Sequence, residues 1–222
     1  RTIRFGSKGS FIRKLCSLVI GRGVMVRIYF ERHGKTEWNL ARRLQGQKGD
    51  SPLLPESYEA IERVHKFLEP IEFDKVLSSP QKRALITADL LTNQSVSTDK
   101  RLSEWNFGEL EGWFISDAIA KYPKEMHDSR FELDQFDGSA FGAESVSSVL
   151  NRFDSLAQDL LNSKMDNVLL VGHGASGTAG MRHLAGFPIA ELRSVGGLAN
   201  NTVTVLESNA GHFDLKIWDK QL

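Results

Sequence analysis

Cysteine is almost absent from this sequence of 222 residues, in which Cys16 is the single example. One thiol excludes an intrachain disulfide framework and a cysteine metal site, and it is typical of a protein from a reducing compartment. Long hydrophobic runs are also lacking, because the apolar stretch 15–20 is too short to cross a membrane as a helix. We therefore expect a cytoplasmic protein with no membrane partner.

The sequence also lacks an excess of charge of either sign, since 28 basic residues balance 28 acidic ones. Their distribution is uneven, because residues 1–24 contain six basic residues and no acid. We interpret 1–24 as a basic N-terminal extension, either a leader or an added segment, because Met25 directly precedes the first convincing strand. The alternative is a tail that binds nucleic acid or acidic lipid. Its charges are scattered without interleaved aromatic residues, so we expect no nucleic-acid partner.

Residues 25–222 predict one domain, because no repeat, low-complexity segment or linker divides them. Short apolar runs alternate with segments of helical periodicity. The predicted strands are 26–31, 74–77, 167–172, 202–207 and 215–219. The predicted helices are 55–69, 80–92, 145–163 and 177–186. Strands that alternate with helices indicate an α/β protein, specifically a three-layer α/β/α sandwich with a mostly parallel central sheet.

Reactive residues follow three of the predicted strands. The first strand ends at Arg32-His33-Gly34, the second runs into Ser78-Ser79-Pro80 ahead of Arg83, and a third ends at Gly172-His173-Gly174. Because ligands bind beyond the carboxyl ends of strands in such sheets, we expect two arginines and two histidines to converge on one crevice. Two arginines in a crevice indicate a phosphate or carboxylate held by planar, bidentate donors.

The stretch RHGKTEWN (32–39) resembles the signature of the histidine phosphatase superfamily, which includes cofactor-dependent phosphoglycerate mutase and many small phosphomonoesterases. Further similar segments occur in the family's order: RRLQGQKGDSPL (42–53), LSSPQKRALITA (77–88), RLSEWNFGELEG (101–112), GAES (142–145) and VLLVGHG (168–174). The resemblance covers residues 26–218 and implies a phosphoglycerate mutase-like fold.

The resemblance also implies roles for the two histidines and two arginines. His33 would be the nucleophile that accepts the phosphoryl group on a ring nitrogen, while Arg32, Arg83 and His173 would hold the equatorial oxygens. An imidazole attacks only when it is neutral, and two neighbouring arginines disfavour its charged form. The same cations stabilise the charge of the transition state, so we expect no metal and no cofactor.

The remaining implied site residues concern proton transfer and phosphate binding. Glu104 would protonate the departing alcohol and then act as the base toward water. Glu109 is a competing candidate for this acid. Asn39 and Gly174 would complete the binding of phosphate and substrate.

The choice between phosphatase and mutase depends on the segment expected to cover the crevice, 113–145. It contains three basic residues against seven acidic ones, which is a poor environment for the bisphosphorylated intermediate that a mutase retains. We therefore predict a metal-independent phosphomonoesterase that acts on a small phosphorylated metabolite with a monoanionic or apolar leaving alcohol. The alternatives are phosphoglycerate mutase-type transfer and a non-catalytic phospho-ligand binder. A homodimer is compatible with the sequence.

Overall fold

The computed structural model describes residues 25–222, and the predicted extension 1–24 lies outside the described residues. The strands are β1 (Arg27–Arg32), β2 (Lys75–Ser78), β3 (Val96–Thr98), β4 (Asn167–Gly172), β5 (Thr202–Asn209) and β6 (His212–Gln221). The helices are α1 (Glu37–Leu40), α2 (Pro55–Leu68), α3 (Lys82–Leu91), α4 (Ile115–Lys121), α5 (Pro123–Phe131), α6 (Val146–Leu161) and α7 (Ala175–Leu184). None of these helices in residues 25–222 is long and apolar enough to cross a membrane.

The six strands form one sheet in the order β3-β2-β4-β1-β5-β6. The first four are mutually parallel, and β5 and β6 add an antiparallel hairpin beside β1. In the β1–β4 pairing, Arg32 lies opposite Gly172, so the two strands end level with each other. The carboxyl ends of β1, β2 and β4 therefore meet at one edge, as predicted.

Helices cover both faces of this sheet. On β1, Ile28 and Phe30 point into a core that α6 and α7 complete, whereas Tyr29 points into a second core with α2 and α3. This alternation follows from the two-residue period of a strand. The predicted three-layer α/β/α sandwich with a mostly parallel central sheet is therefore confirmed.

Four elements, α1, β3, α4 and α5, were not predicted from the sequence. Thr36 starts α1 through a capping box, in which its hydroxyl accepts from the Asn39 amide while the Asn39 side chain accepts from the Thr36 amide. Helices α4 and α5 contribute Ala118 and Met126 to a third, small core that includes Phe141. Both are short, and α5 is mostly polar, which is why helical periodicity did not identify them.

Glu31 is an unusual member of β1, because it is a fully buried carboxyl group in the middle of the sheet. Neither carboxyl oxygen has a hydrogen-bond partner in residues 25–222. Burial, with the nearby charge of Asp219, raises the pKa of Glu31 well above its ordinary value. The folded chain therefore retains a proton that the unfolded chain loses near pH ~4.3.

We expect Glu31→Gln to stabilise the protein, and more so at alkaline pH. Above the unfolded pKa the folded state binds more protons than the unfolded state, so wild-type stability falls as pH rises toward the raised folded pKa. The substitution should increase the free energy of unfolding by about 1–3 kcal/mol near pH ~8 and by less near pH ~4. Urea unfolding at both pH values measures this. Glu59→Gln, an exposed control on α2, should have little effect. A gain independent of pH would contradict the interpretation.

Candidate active site

A crevice of about 180 Å³ at the carboxyl edge of the sheet brings the predicted site residues together. Five of the seven line it: Arg32, His33, Asn39, Glu104 and Gly174. The other two, Arg83 and His173, lie against His33. The Arg83 Nε atom is 3.3 Å from His33 Nε2, and the ring centroids of His33 and His173 are 5.1 Å apart.

His33 follows β1 directly, and its hydrogen bonds define its tautomer. Its Nδ1 atom lies 2.7 Å from the carbonyl oxygen of Gly34, which can only accept, so Nδ1 carries the proton. The Nε2 atom then presents a lone pair, toward which the Nε–H of Arg83 points. Burial, with the charges of Arg83 and Arg32, lowers the pKa of His33 well below its ordinary value. His33 is thus a neutral imidazole with a lone pair on Nε2.

Arg83 lies in the first turn of α3, and its side chain is completely buried. Its guanidinium donates to the carbonyl oxygens of Gly46 (3.0 Å) and Gly49 (2.9 Å) and to the Asp50 carboxylate (3.2 Å). The loop that provides these acceptors is held by Glu111, whose carboxylate accepts from the backbone amides of residues 47, 48 and 49. Glu111 therefore anchors the loop that orients Arg83. The sequence alone did not indicate this role.

Arg32 ends β1 and approaches the backbone closely. One of its guanidinium N–H groups donates to the carbonyl oxygen of Leu198. A Cβ atom at position 174 would lie 2.8 Å from Arg32 Cζ, which is too close for a side chain. The glycine at this position therefore lets the Arg32 guanidinium pack against the backbone that follows β4. Burial lowers the pKa of Arg32, while the charges of Glu104 and Asp219 oppose that shift.

Glu104 is buried at the cavity wall and held by three backbone amides. Its Oε1 atom accepts from Trp105 (2.8 Å) and Ser176 (2.7 Å), and Oε2 accepts from Ala175 (3.0 Å). Ala175 and Ser176 open α7, and a helix N-terminus favours an anion at this position. The competing candidate Glu109 is exposed and does not line the crevice.

His173 is held by two residues that follow β2. Its Nε2 atom lies 2.6 Å from Ser79 Oγ and 2.9 Å from Gln81 Oε1. Because the Gln81 oxygen can only accept, Nε2 carries the proton and Nδ1 does not. Burial and the charge of Arg83 lower the pKa of His173 well below its ordinary value, so its ring is neutral. Sequence reasoning missed Gln81, although it lies within the segment LSSPQKRA that was singled out.

Asn39 lines the crevice with its side-chain oxygen already engaged inside the protein. That oxygen accepts from the Thr36 amide at 3.1 Å and from Asn200 Nδ2 at 3.3 Å. The same Asn200 group donates to the His33 carbonyl oxygen at 2.8 Å. The Nδ2 amide of Asn39 is therefore the group available to a ligand.

Three further arginines that sequence reasoning did not identify line the crevice: Arg43, Arg130 and Arg193. Only Arg130 belongs to the covering segment 113–145. None of the seven acids of that segment lines the crevice, and two of them are paired elsewhere, Asp128 with Lys124 and Glu144 with Arg152. The expectation of an acid-rich cover around the substrate is therefore wrong, because a count of charges carries no information about which side chains face inward.

The four remaining histidines lie outside the crevice, as expected of structural or surface residues. His65 contacts the Leu91 carbonyl oxygen, and His183 contacts Asp154. His127 forms a group with Asp128 and Glu132 whose ligand-type atoms lie within 4.8 Å of one another. This group does not line the crevice, and Asp128 is paired with Lys124.

The fold and the crevice together define an α/β protein that places two histidines and two arginines at the carboxyl edge of its sheet. The family model of the histidine phosphatase superfamily (branch 1) matches residues 28–221. The chain belongs to this superfamily, whose members are phosphatases and mutases, and the resemblance noted in the sequence is confirmed.

Similar proteins include both kinds of enzyme. A probable phosphoglycerate mutase of Proteus mirabilis is 30% identical over 158 residues, which cover 68% of this chain and 70% of that protein. The 2,3-bisphosphoglycerate-dependent phosphoglycerate mutase of Cytophaga hutchinsonii is 30% identical over 165 residues, covering 69% and 74%.

Solved structures with the same fold include Bacillus stearothermophilus YhfR. Its TM-score is 0.80 at 26% identity, and the match covers 87% of this chain and 96% of that one. A mycobacterial glucosyl-3-phosphoglycerate phosphatase has a TM-score of 0.77 at 26% identity and coverages of 88% and 99%. Membership of the superfamily therefore leaves phosphatase and mutase activity to be distinguished by the site itself.

Proposed function

We propose that the protein is a phosphomonoesterase that hydrolyses a small phosphorylated metabolite through a phosphohistidine at His33. The observation that carries this proposal is the tautomer of His33, whose Nδ1 proton is bound by the Gly34 carbonyl oxygen so that the Nε2 lone pair is available. A neutral, buried imidazole between two arginines is suited to attack a phosphate dianion that those arginines attract.

In the first step, His33 Nε2 bonds to phosphorus while the bond from phosphorus to the ester oxygen breaks. Glu104 gives its proton to the departing alcohol. Within the part of the chain that the structure describes, its Oε2 atom accepts one amide hydrogen bond and Oε1 accepts two, so Oε2 is the oxygen with capacity for that proton. Arg32 and Arg83 neutralise the charge that spreads over the phosphoryl oxygens.

In the second step, Glu104 takes a proton from a water molecule whose oxygen attacks phosphorus. The bond from phosphorus to Nε2 breaks, inorganic phosphate leaves, and both His33 and Glu104 return to their initial protonation states. The arginines supply the positive charge that a metal ion supplies in other phosphoryl-transfer sites, so we propose that no metal takes part.

The pH dependence of the reaction follows from the environment of His33. Because burial and the neighbouring arginines lower its pKa, His33 stays neutral at pH values where an ordinary histidine gains a proton. We expect the acid limb of the kcat/KM profile to lie below pH 6.5, the ordinary value, after correction for the ionisation of the substrate. In Arg83→Gln this limb should move to higher pH, because one repelling charge is removed.

The pH dependence of kcat/KM for phenyl phosphate gives the position of the acid limb in the wild type and in Arg83→Gln. Arg63→Gln, which removes an exposed arginine from α2, is the control and should leave the limb unchanged. An acid limb above pH 6.5 in the wild type, or an unshifted limb in Arg83→Gln, would count against the assignment of His33.

Phosphoglycerate mutase-type transfer is the second candidate, favoured by the names of the 30%-identical relatives and by the additional arginines in the crevice. A mutase returns the phosphoryl group to a second hydroxyl of the same substrate, whereas a phosphatase gives it to water. Incubation with a phosphoglycerate, with and without a bisphosphoglycerate primer, separates the two. Release of inorganic phosphate supports the phosphatase, and primer-dependent formation of the isomer at a higher rate supports the mutase.

A further inference from the structure

The crevice contains more positive charge than one phosphoryl group requires. Arg32 in the crevice and Arg83 beside His33 suffice for the transferred phosphoryl group, but Arg43, Arg130 and Arg193 line the crevice as well. None of these three forms an ion pair with another of residues 25–222. We call Arg43, Arg130 and Arg193 the outer arginines.

The protein leaves much of the hydrogen-bonding capacity of the outer arginines unused. Arg193 donates through Nη1 to the Ser129 carbonyl oxygen, and its buried Nε has no partner among the described residues. The Arg130 side chain makes no hydrogen bond within residues 25–222. Arg43 donates to the Gly112 carbonyl oxygen at 2.6 Å, and its guanidinium lies 3.9 Å above the centre of the Phe114 ring.

Electrostatics shows that these charges are poorly compensated. Burial lowers the pKa of Arg193 to about 10, and the charges of Arg130 and Arg32 add to the shift against the attraction of Glu104. Burial also lowers the pKa of Arg130. Among the described residues that line the crevice, Glu104 is the one acid, and three backbone amides already hold its carboxylate.

The surroundings of Arg130 and Arg193 strengthen any attraction to an anion. Both residues also line an adjoining small cavity of about 50 Å³, whose other walls are largely apolar and include Phe107, Phe136 and Phe141. Charges interact more strongly beside such low-dielectric walls than in water. An uncompensated pair of guanidiniums at this position is costly for the free protein and favourable once an anion binds.

We propose that the outer arginines form a second anion subsite, so that the preferred substrate is a phosphomonoester whose alcohol part carries another anionic group. This inference rests on the proposed function, because it places the transferred phosphoryl group at His33. It replaces the expectation of a monoanionic or apolar leaving alcohol. The crevice of about 180 Å³ has room for a short alcohol between the two anionic groups.

A matched pair of substrates tests the subsite: 2-phospholactate, which has a carboxylate, and its methyl ester, which does not. We expect Arg130→Gln and Arg193→Gln each to reduce kcat/KM for 2-phospholactate by about 10- to 100-fold, as the loss of a charge-assisted hydrogen bond requires. For the methyl ester the same variants should change kcat/KM by less than about threefold. Comparison of kcat/KM for glycerol bisphosphate and for 2-phospholactate shows whether the subsite prefers a phosphate or a carboxylate as the second anionic group.

Two further variants separate the subsite from general effects of charge and folding. Arg63→Gln removes an equal charge from an exposed residue of α2 that does not line the crevice, and it should affect neither substrate. Arg193→Lys should restore part of the activity on 2-phospholactate, because it restores the charge without the planar fork. Thermal unfolding of each variant identifies loss of structure. Arg130→Gln removes no protein hydrogen bond within residues 25–222, so its result stands if Arg193→Gln fails to fold.

Binding to His33→Ala gives a readout that does not depend on turnover. Calorimetry should show that this variant binds 2-phospholactate at least about tenfold more tightly than the methyl ester, and that Arg130→Gln removes the difference. Equal affinities for the two ligands would overturn the subsite even if the wild type hydrolyses phosphomonoesters. A carboxylate preference in binding without any hydrolysis by the wild type would instead support the subsite and overturn the phosphatase.

Discussion

His33→Ala should lose phosphatase activity by a factor on the order of 10⁴ or more, because it removes the Nε2 lone pair that we propose bonds to phosphorus. The Nδ1 proton of His33 is fixed by the Gly34 carbonyl oxygen, and Nε2 lies beside the Arg83 guanidinium at 3.3 Å. We do not expect the neighbouring His173 to replace it, since His173 is buried and does not line the crevice. Steady-state release of phosphate from phenyl phosphate measures the loss.

The matched control for this variant is His212→Ala, which removes an exposed histidine at the start of β6. It should retain wild-type activity. His33→Ala should also unfold at nearly the wild-type temperature if the loss is chemical. Turnover in His33→Ala within about tenfold of the wild type would mean that the phosphoryl group is transferred to water directly or through another residue.

Glu104→Gln should have the second-largest effect, and its size should depend on the leaving group. An alkyl alcohol needs a proton as it departs, so we expect a loss of about 10²- to 10⁴-fold for an alkyl phosphate. A nitrophenolate leaves without that proton, so phosphorylation of His33 by 4-nitrophenyl phosphate should slow much less. Hydrolysis of the phosphohistidine still needs the base, so phosphoenzyme should accumulate with the nitrophenyl substrate.

Rapid-quench measurements with both substrates separate these steps. Glu109→Gln is the matched control, because Glu109 is exposed, lies outside the crevice and was the competing candidate from sequence. It should behave as the wild type. An equal loss on both substrates in Glu104→Gln would indicate that Glu104 positions the opening of α7 through its three amide bonds and does not transfer protons.

The sequence was sufficient to predict the central elements of the fold because their signals are local. The alternating and continuous apolar runs of β1 and β4 identify buried strands, and the apolar stripes of α2 and α6 identify helices that cover them. The site follows from the same information. Arg32 ends a strand, and His33 and His173 come directly after strands. Because parallel strands share a carboxyl edge, their convergence needs no knowledge of distant contacts.

The sequence did not reveal the features that depend on how side chains are oriented in the folded protein. Arg130 lies in a segment dominated by acids, and only the packing of α5 shows that it faces the crevice while Asp128 pairs with Lys124. Arg193 lies outside the covering segment, in a connection without periodicity. The roles of Gln81 and Glu111 likewise arise from hydrogen bonds across the chain, which residue type and spacing do not encode.

The most direct test of the central claim is to locate the phosphoryl group on the protein itself. Glu104→Gln treated with 4-nitrophenyl phosphate and quenched in alkali should yield an acid-labile phosphopeptide containing His33. Phosphorus NMR of the quenched protein should assign the phosphate to the Nε2 atom of that ring. A phosphate on a different residue, or complete turnover with no phosphorylated protein at any time, would contradict the account.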